Sequence, residues 1–308
     1  MSVEGYARFL EAQGLRVFEA EESLWVEKRK FFLENIPPHR SLHLTGPALR
    51  RLFLKGSAVV RYACAAPEGS PSFEYVCSEK PMTLGALAPD ARRRVRRGME
   101  RCEVRRVEFD LLAKYGFPIN HSTLLRQGRP GPALVTDEAL WQRYMRACAT
   151  IPSVEAYGAF VENRLIGFSI SVIIQNYSYL HYTHAYTEHL KYSPINVLTY
   201  AVTKAMLERA EISHVSQGLE PFVSLPDVER FKLAMGFWKR PVRRRVVVNP
   251  IARPAFSAAG VWLARLVLGR RAPDLAEDFA TFTRSESERH QAQPVSASAS
   301  RLEVGSLR

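Results

Sequence analysis

The period of the apolar positions changes along the chain. As far as about Arg126, short strand-like runs at 24–32, 57–64 and 73–77 alternate with polar loops. Pro89-Asp90 then opens a helix over 91–101. The stretch 126–132 holds two prolines and two glycines and reads as a linker. Beyond it, Thr136 suits the cap of a helix reaching Ala149, and 156–161, 165–175 and 177–186 read as three consecutive strands. Glu162-Asn163-Arg164 and Gln175-Asn176 are short enough to join them as hairpins. Ser193-Pro194 starts a helix with Ile195, Leu198, Val202, Ala205 and Met206 on one face; Val197, Tyr200 and Ala201 widen it, which predicts a well-buried helix. A strand at 212–219 follows.

The next segment is the most telling. Ser224 and Pro226 suit a helix start, Val228, Phe231 and Met235 recur at helical spacing, and Gly236 supplies the stop. Lys232 sits inside this otherwise apolar pattern. The run 243–248, rich in β-branched residues, reads as a closing strand. Helix, three antiparallel strands, helix, strand, helix, strand predicts an α/β (α+β) mixed sheet covered by helices over 133–250. Residues 1–126 form a first domain and 127–132 the linker. Within 251–283, Trp262, Leu263, Leu266 and Val267 recur at helical spacing between Arg253 and Arg270-Arg271, a pattern suited to docking on protein or on the inner face of a membrane. From 284 to 308, Ser, Ala, Gln and charged residues without periodicity predict a disordered tail.

Composition narrows the partners. The 308 residues, 46% hydrophobic and 24% charged, are those of an ordinary globular protein, and a net charge of +12 draws it to RNA, phosphorylated ligands or anionic membranes. Cys64, Cys77, Cys102 and Cys148 form no CxxC pair or Cys/His cluster, which argues against a metal site and a disulfide framework. Glu4, Glu11, Glu19, Glu21 and Glu22 are not a signal-peptide start, and no apolar run reaches the roughly 20 residues of a spanning helix. The expectation is a cytoplasmic protein.

The segment "KYSPINVLTYAVTKAMLERAEISHVSQGLEP" followed by "SLPDVERFKLAMGF" is similar to the C-terminal half of FemAB-like acyl and aminoacyl transferases, within the GNAT superfamily. "LAPDARRRVRRGMERCEVRRVE" resembles the basic helix and short strand of the same family. The resemblance implies a GNAT-like fold with a degenerate N-terminal GNAT-like domain. It also implies N-acyl or aminoacyl transfer to a small-molecule or cell-envelope amine. Nothing is bound permanently: aminoacyl-tRNA or acyl-CoA serves as co-substrate. GNAT enzymes that use acyl-CoA carry a glycine-containing loop before the central helix; here that place reads Tyr186 to Ser193 with no glycine, as in FemAB-type domains. By resemblance, Lys232 lies beside the donor carbonyl, and Thr123 and Arg126 sit on a strand-to-loop segment facing the cleft.

The residues themselves propose the remaining roles. Acyl transfer needs groups that face the developing oxyanion, which a lysine can do. Ser193 and Asn196 open the central helix, whose free N–H groups receive a donor phosphate, with Lys191 adding charge and Phe231 a contact. His181, His184 and Glu220 are the candidate acids or bases; the two histidines have opposite strand parity, so only one is expected to face the site. Arg92, Arg93, Arg94, Arg96 and Arg97 make a solvated face or bind an acidic acceptor, an RNA acceptor stem or membrane phosphates, with Arg93 and Arg97 the acceptor contacts beside Thr123 and Arg126. The competing reading is a non-catalytic basic module that binds nucleic acid or anionic membrane.

Overall fold

The computed structural model describes residues 3–127, 137–221 and 225–256. Thr136, most of the linker, the segment around Trp262 and the tail lie outside them. Met1–Glu220 with Leu225–Val248 form one compact unit. Pro221–Ser224 with Asn249–Arg308 form a second, whose described part includes a 3-10 turn at Arg253–Phe256.

The first unit is built on one sheet of eleven strands in the order β1-β2-β3-β4-β11-β5-β10-β9-β8-β7-β6. Strands β1 (Val17–Ala20), β2 (Ser23–Arg29), β3 (Phe32–Ile36), β4 (Val59–Cys64) and β5 (Ser70–Cys77) come from the first quarter of the chain. The run 24–32 is therefore two strands, turned at Phe31, whose φ is 70°. Strand β6 (Glu103–Val107) lies beside β7 (Val154–Val161), which leads through β8 (Arg164–Ile174) and β9 (Tyr177–Ala185) to β10 (His214–Leu219). Glu162 and Asn163, with φ of 49° and 63°, make the two-residue turn between β7 and β8. Strand β11 (Trp238–Val248) inserts between β4 and β5, so the sheet runs unbroken across both parts of the chain. Only β3 with β4 and β9 with β10 are parallel.

Helices cover both faces, and strand alternation sorts their cores. One face holds α1 (Val3–Ala12), α4 (Phe109–Gln127) and α5 (Glu138–Ala149), with Phe9, Leu112, Trp141, Tyr144 and Phe168 packed together. The other holds α3 (Pro89–Arg101) and α6 (Pro194–Leu207), with Val95, Val197, Leu198, Val202 and Met206 against Ile166, Ile173 and Val215. A smaller core lies between α2 (Gly46–Leu54) and β2 to β4, around Trp25, Leu52 and Tyr62. Where α3 meets α6 the residue is Gly98, because a Cβ there would lie 2.6 Å from Val197 Cβ and 3.2 Å from the Ser193 carbonyl oxygen. All four cysteines are buried and free.

Two local readings need correction. Thr123 and Arg126 lie on α4, a 19-residue helix with Pro118 inside it, rather than on a strand-to-loop segment. Helix α5 is capped by Asp137, whose carboxylate accepts from Ala139 and Leu140 N–H at 2.9 and 3.1 Å.

Candidate active site

Strands β9 and β10 run side by side for three residue pairs, His214–Tyr177, Val215–Ser178 and Ser216–Tyr179, and their ladder ends there. Both strands bulge at this level. In β9 the bulge falls at His181, since Leu180 pairs with Ser171 and Tyr182 with Ile170. In β10 it falls at Gln217-Gly218, between Ser216 and Leu219, with Gly218 at φ 86°. A bulge adds an unpaired residue and twists its strand, so two at one level turn the neighbouring edges away from each other. From Leu180 and Gln217 onward the facing edges carry backbone groups without a ladder partner.

Lys232, on α7 (Pro226–Ala234), reaches the β10 edge where this parting begins. Its Nζ donates to the Gln217 carbonyl at 2.8 Å and lies 4.3 Å from the centre of the Tyr75 ring. Burial pulls its pKa from the ordinary 10.5 down to about 8, and the Glu229 carboxylate opposes that shift. Glu229 in turn accepts from Lys239 Nζ at 2.6 Å and from the Tyr75 hydroxyl at 2.8 Å, contacts that hold its own pKa below the usual range. Desolvation, then the Glu229 contact, raises Tyr75.

Three cavities follow one another along α3, and Phe231, the residue before Lys232, lines two of them. The first, about 680 Å³, lies between the starts of α3 and α7, where Arg94, Asn196 and Phe231 line it. Those three also line the second, about 400 Å³, which adds Arg93, Arg97 and Ser193. Arg93 and Arg97 continue into the third, about 780 Å³, with Arg96, Arg101, Lys191 and Tyr192. The start of α6 thus opens onto a trough walled by guanidinium groups. Ser193 adopts the left-handed conformation, at φ 58° and ψ 41°, and its hydroxyl makes no capping bond, so it leaves the helix N–H groups uncapped.

The arginines of α3 are not equivalent. Arg92 donates to the carbonyls of Leu84, Gly85 and Leu87 at 2.9 to 3.1 Å and pins the preceding turn. Arg93 pairs with exposed Asp90 at 3.2 Å. Arg94, Arg96, Arg97 and Arg101 are exposed and pair with no carboxylate among the described residues.

No family model matches the chain, and no curated protein does. Solved structures do. FemX superposes with a TM-score of 0.55 at 9% identity over 85% of this chain and 93% of its own. The C-terminal domain (DUF2156) of a putative lysylphosphatidylglycerol synthetase from Agrobacterium fabrum gives 0.54 at 12% identity, over 83% and 91%. L-PGS from Bacillus licheniformis gives 0.54 at 12%, over 87% and 97%. The fold is FemAB-like, of the GNAT type.

Within this FemAB-like fold the predicted residues separate into two groups. Arg93, Arg97, Ser193, Asn196 and Phe231 share one cavity, and Lys191 joins its neighbour. Lys232 lies on the sheet side of α7, against Tyr75 and the Gln217 carbonyl, while adjacent Phe231 faces the trough. Thr123 and Arg126 lie on the opposite face of the sheet, where the Thr123 hydroxyl donates to the Ala185 carbonyl at 3.0 Å and Arg126 reaches Thr187 Oγ1 at 3.3 Å. Both histidines are on that face too. His181 packs on Phe9 at 4.9 Å, and His184 Nδ1 bonds Asn120 Oδ1. Parity fails to separate them because the bulge at His181 resets the alternation. Burial depresses His181 to about 3 and His184 to about 4, so both are neutral. Glu220 accepts from Ser72 Oγ at 2.8 Å at the end of β10.

Sequence reading missed Tyr75, Gln217, Glu229 and Lys239. For Glu229 a signal existed: it precedes Lys232 by three residues, one helical turn. It also missed Glu74, fully buried between Ser216 Oγ at 2.6 Å and the Arg240 guanidinium, which joins β5, β10 and β11. Among the described residues no His, Cys, Asp or Glu cluster suits a metal ion, and no helix is long and apolar enough to cross a membrane.

Proposed function

We propose that the protein is an N-acyltransferase of the FemAB-like GNAT class, moving an acyl or aminoacyl group from an activated, phosphate-bearing donor to an amine. The observation that carries this reading is the parting of β9 and β10 after three pairs, with Lys232 held on the Gln217 carbonyl where they part and the adjacent Phe231 lining an arginine-walled trough. In this reading the donor's phosphates lie on Arg93, Arg94, Arg97 and the N–H groups of α6, as anions do at helix starts. Its carbonyl lies in the gap. The acceptor nitrogen attacks the acyl carbon; the oxyanion faces the Lys232 ammonium; the C–O or C–S bond then breaks, and its electron pair leaves with the donor remnant. The amine proton passes to solvent or to that remnant. Fixed charge of this kind acts on the transition state without reorganising and is worth a few kcal/mol per donor.

Aminoacyl-tRNA and acyl-CoA are the two donors that meet these requirements. FemX and the lysylphosphatidylglycerol synthetases, similar in fold, favour the first. The arginines of α3 that pair with no carboxylate among the described residues would by themselves suit a non-catalytic polyanion-binding module, but such a module has no use for parted strands with a half-buried lysine held where they part. Mass spectrometry of the protein purified under native conditions tests the proposal. A co-purifying acyl thioester, aminoacylated RNA or N-acylated amine supports it. A protein that purifies empty and stays so after exposure to both donor classes contradicts it.

A further inference from the structure

Strand β5 carries two aromatic rings, and each bears an ammonium group. Lys232 Nζ lies 4.3 Å from the Tyr75 ring centre and Lys239 Nζ 4.4 Å from that of Phe73. The rings meet edge to face at 5.2 Å. Between them stands a single carboxylate, Glu229, one oxygen on Lys239 and the other on the Tyr75 hydroxyl. Other charges lie further out: Glu220 approaches Tyr75 from the end of β10, and Asp227 and Arg230 pair with each other at the exposed surface of α7. Burial alone drives an ammonium toward its neutral form, and an opposite charge nearby restores the charged one.

We infer that Glu229 is a positioning residue for Lys232, fixing the Tyr75 ring beneath it and supplying the negative charge that keeps its ammonium protonated, while Lys239 competes for the same carboxylate. The inference rests on the proposed function where it gives Lys232 work to do, but its geometry and its test concern the amine alone. If Lys232 faces the oxyanion, Glu229 sets the pH range over which it does so, and Lys239 tunes that range.

The experiment is competitive labelling of the intact protein with trace acetic anhydride from pH 6 to pH 11, with peptide mass spectrometry reading the midpoint at which Lys232 becomes reactive. In the parent that midpoint is expected near 8. Glu229→Gln should lower it by about one pH unit, and Lys239→Met should raise it, since a repelling charge goes and Glu229 is freed. Opposite signs matter, because mere loosening of the site admits water and moves both midpoints up toward the 10.5 of a free lysine. A midpoint that is unmoved or raised in Glu229→Gln overturns the inference. If that variant does not fold, Lys239→Met decides alone: an upward shift with unchanged melting temperature supports the inference, and no shift or a downward one overturns it. Neither result depends on transfer activity, so failure here is distinct from failure of the proposed function.

Discussion

Lys232 Nζ donates to the main-chain carbonyl of Gln217 at 2.8 Å, and Gln217 is the first residue of β10 past its last pair with β9. The ammonium is thus held by backbone that a bulge has turned out of the ladder. Whatever maintains the bulge maintains the position of the charge.

Gly218 maintains it. Its φ of 86° is one that a residue with a Cβ adopts only under strain, although an added Cβ would meet nothing within 4 Å. Gly218→Ala should therefore lower stability by about 1–2 kcal/mol through backbone strain alone, and Gly218→Asn by less. Urea denaturation of the two variants checks this; equal stabilities would show that the bulge does not need its glycine.

The buried lysine makes stability depend on pH. Its pKa is about 8 when folded against 10.5 when free, so between those values the unfolded chain binds the proton and the folded chain does not. Stability from this group rises with pH across that window: the burial penalty is fully present below about 8 and vanishes above 10.5. Lys232→Met removes the dependence. Its melting temperature should exceed the parent's at pH 7, and the difference should shrink by pH 10; a constant difference would mean that Lys232 is solvated.

Two arginines of α3, five positions apart, should behave differently. Arg97→Gln strands no carboxylate or carbonyl among the described residues and should leave melting unchanged while weakening binding of bulk tRNA or CoA. For the nucleic acid, the slope of log affinity against log salt should fall by about 0.7–0.9 for each phosphate that the side chain no longer neutralises. Arg92 lines the third cavity too, but its guanidinium is committed to the Leu84–Leu87 turn, so Arg92→Gln should cost about 1–2 kcal/mol of stability and weaken binding less than Arg97→Gln does. Isothermal titration and denaturation of both variants separate the two roles.

Much of the fold was legible in the sequence because its signals are local. Proline at 89, 194 and 226 marks three helix starts, and Glu162-Asn163 marks a hairpin that the structure contains. Helix α4 was hidden by Pro118, which reads as a breaker even though Phe109, Leu112, Gly116, Ile119 and Thr123 keep helical spacing and are buried. The bulges were not legible at all. Nothing in the residue types at His181 or Gln217 announces an extra residue in a ladder, and without it the parity of His181 and His184 is read wrongly. Trough and gap were half visible: Arg93, Arg97, Ser193, Asn196 and Phe231 were identified singly by residue type, but only the crossing of α3 over α6 at Gly98 brings them together. Tyr75 lies 157 positions before Lys232, and no local pattern links them.

The most direct test of the site is transfer of an isotope-labelled acyl group from aminoacyl-tRNA or acyl-CoA to an amine, measured by mass spectrometry in single turnover for the parent and Lys232→Met side by side. The expected result is transfer by the parent, donor affinity in the variant within about twofold, and a rate lower by about a hundredfold, the usual loss for one oxyanion donor. A variant that transfers at the parent's rate would contradict the assignment of Lys232 to the transition state.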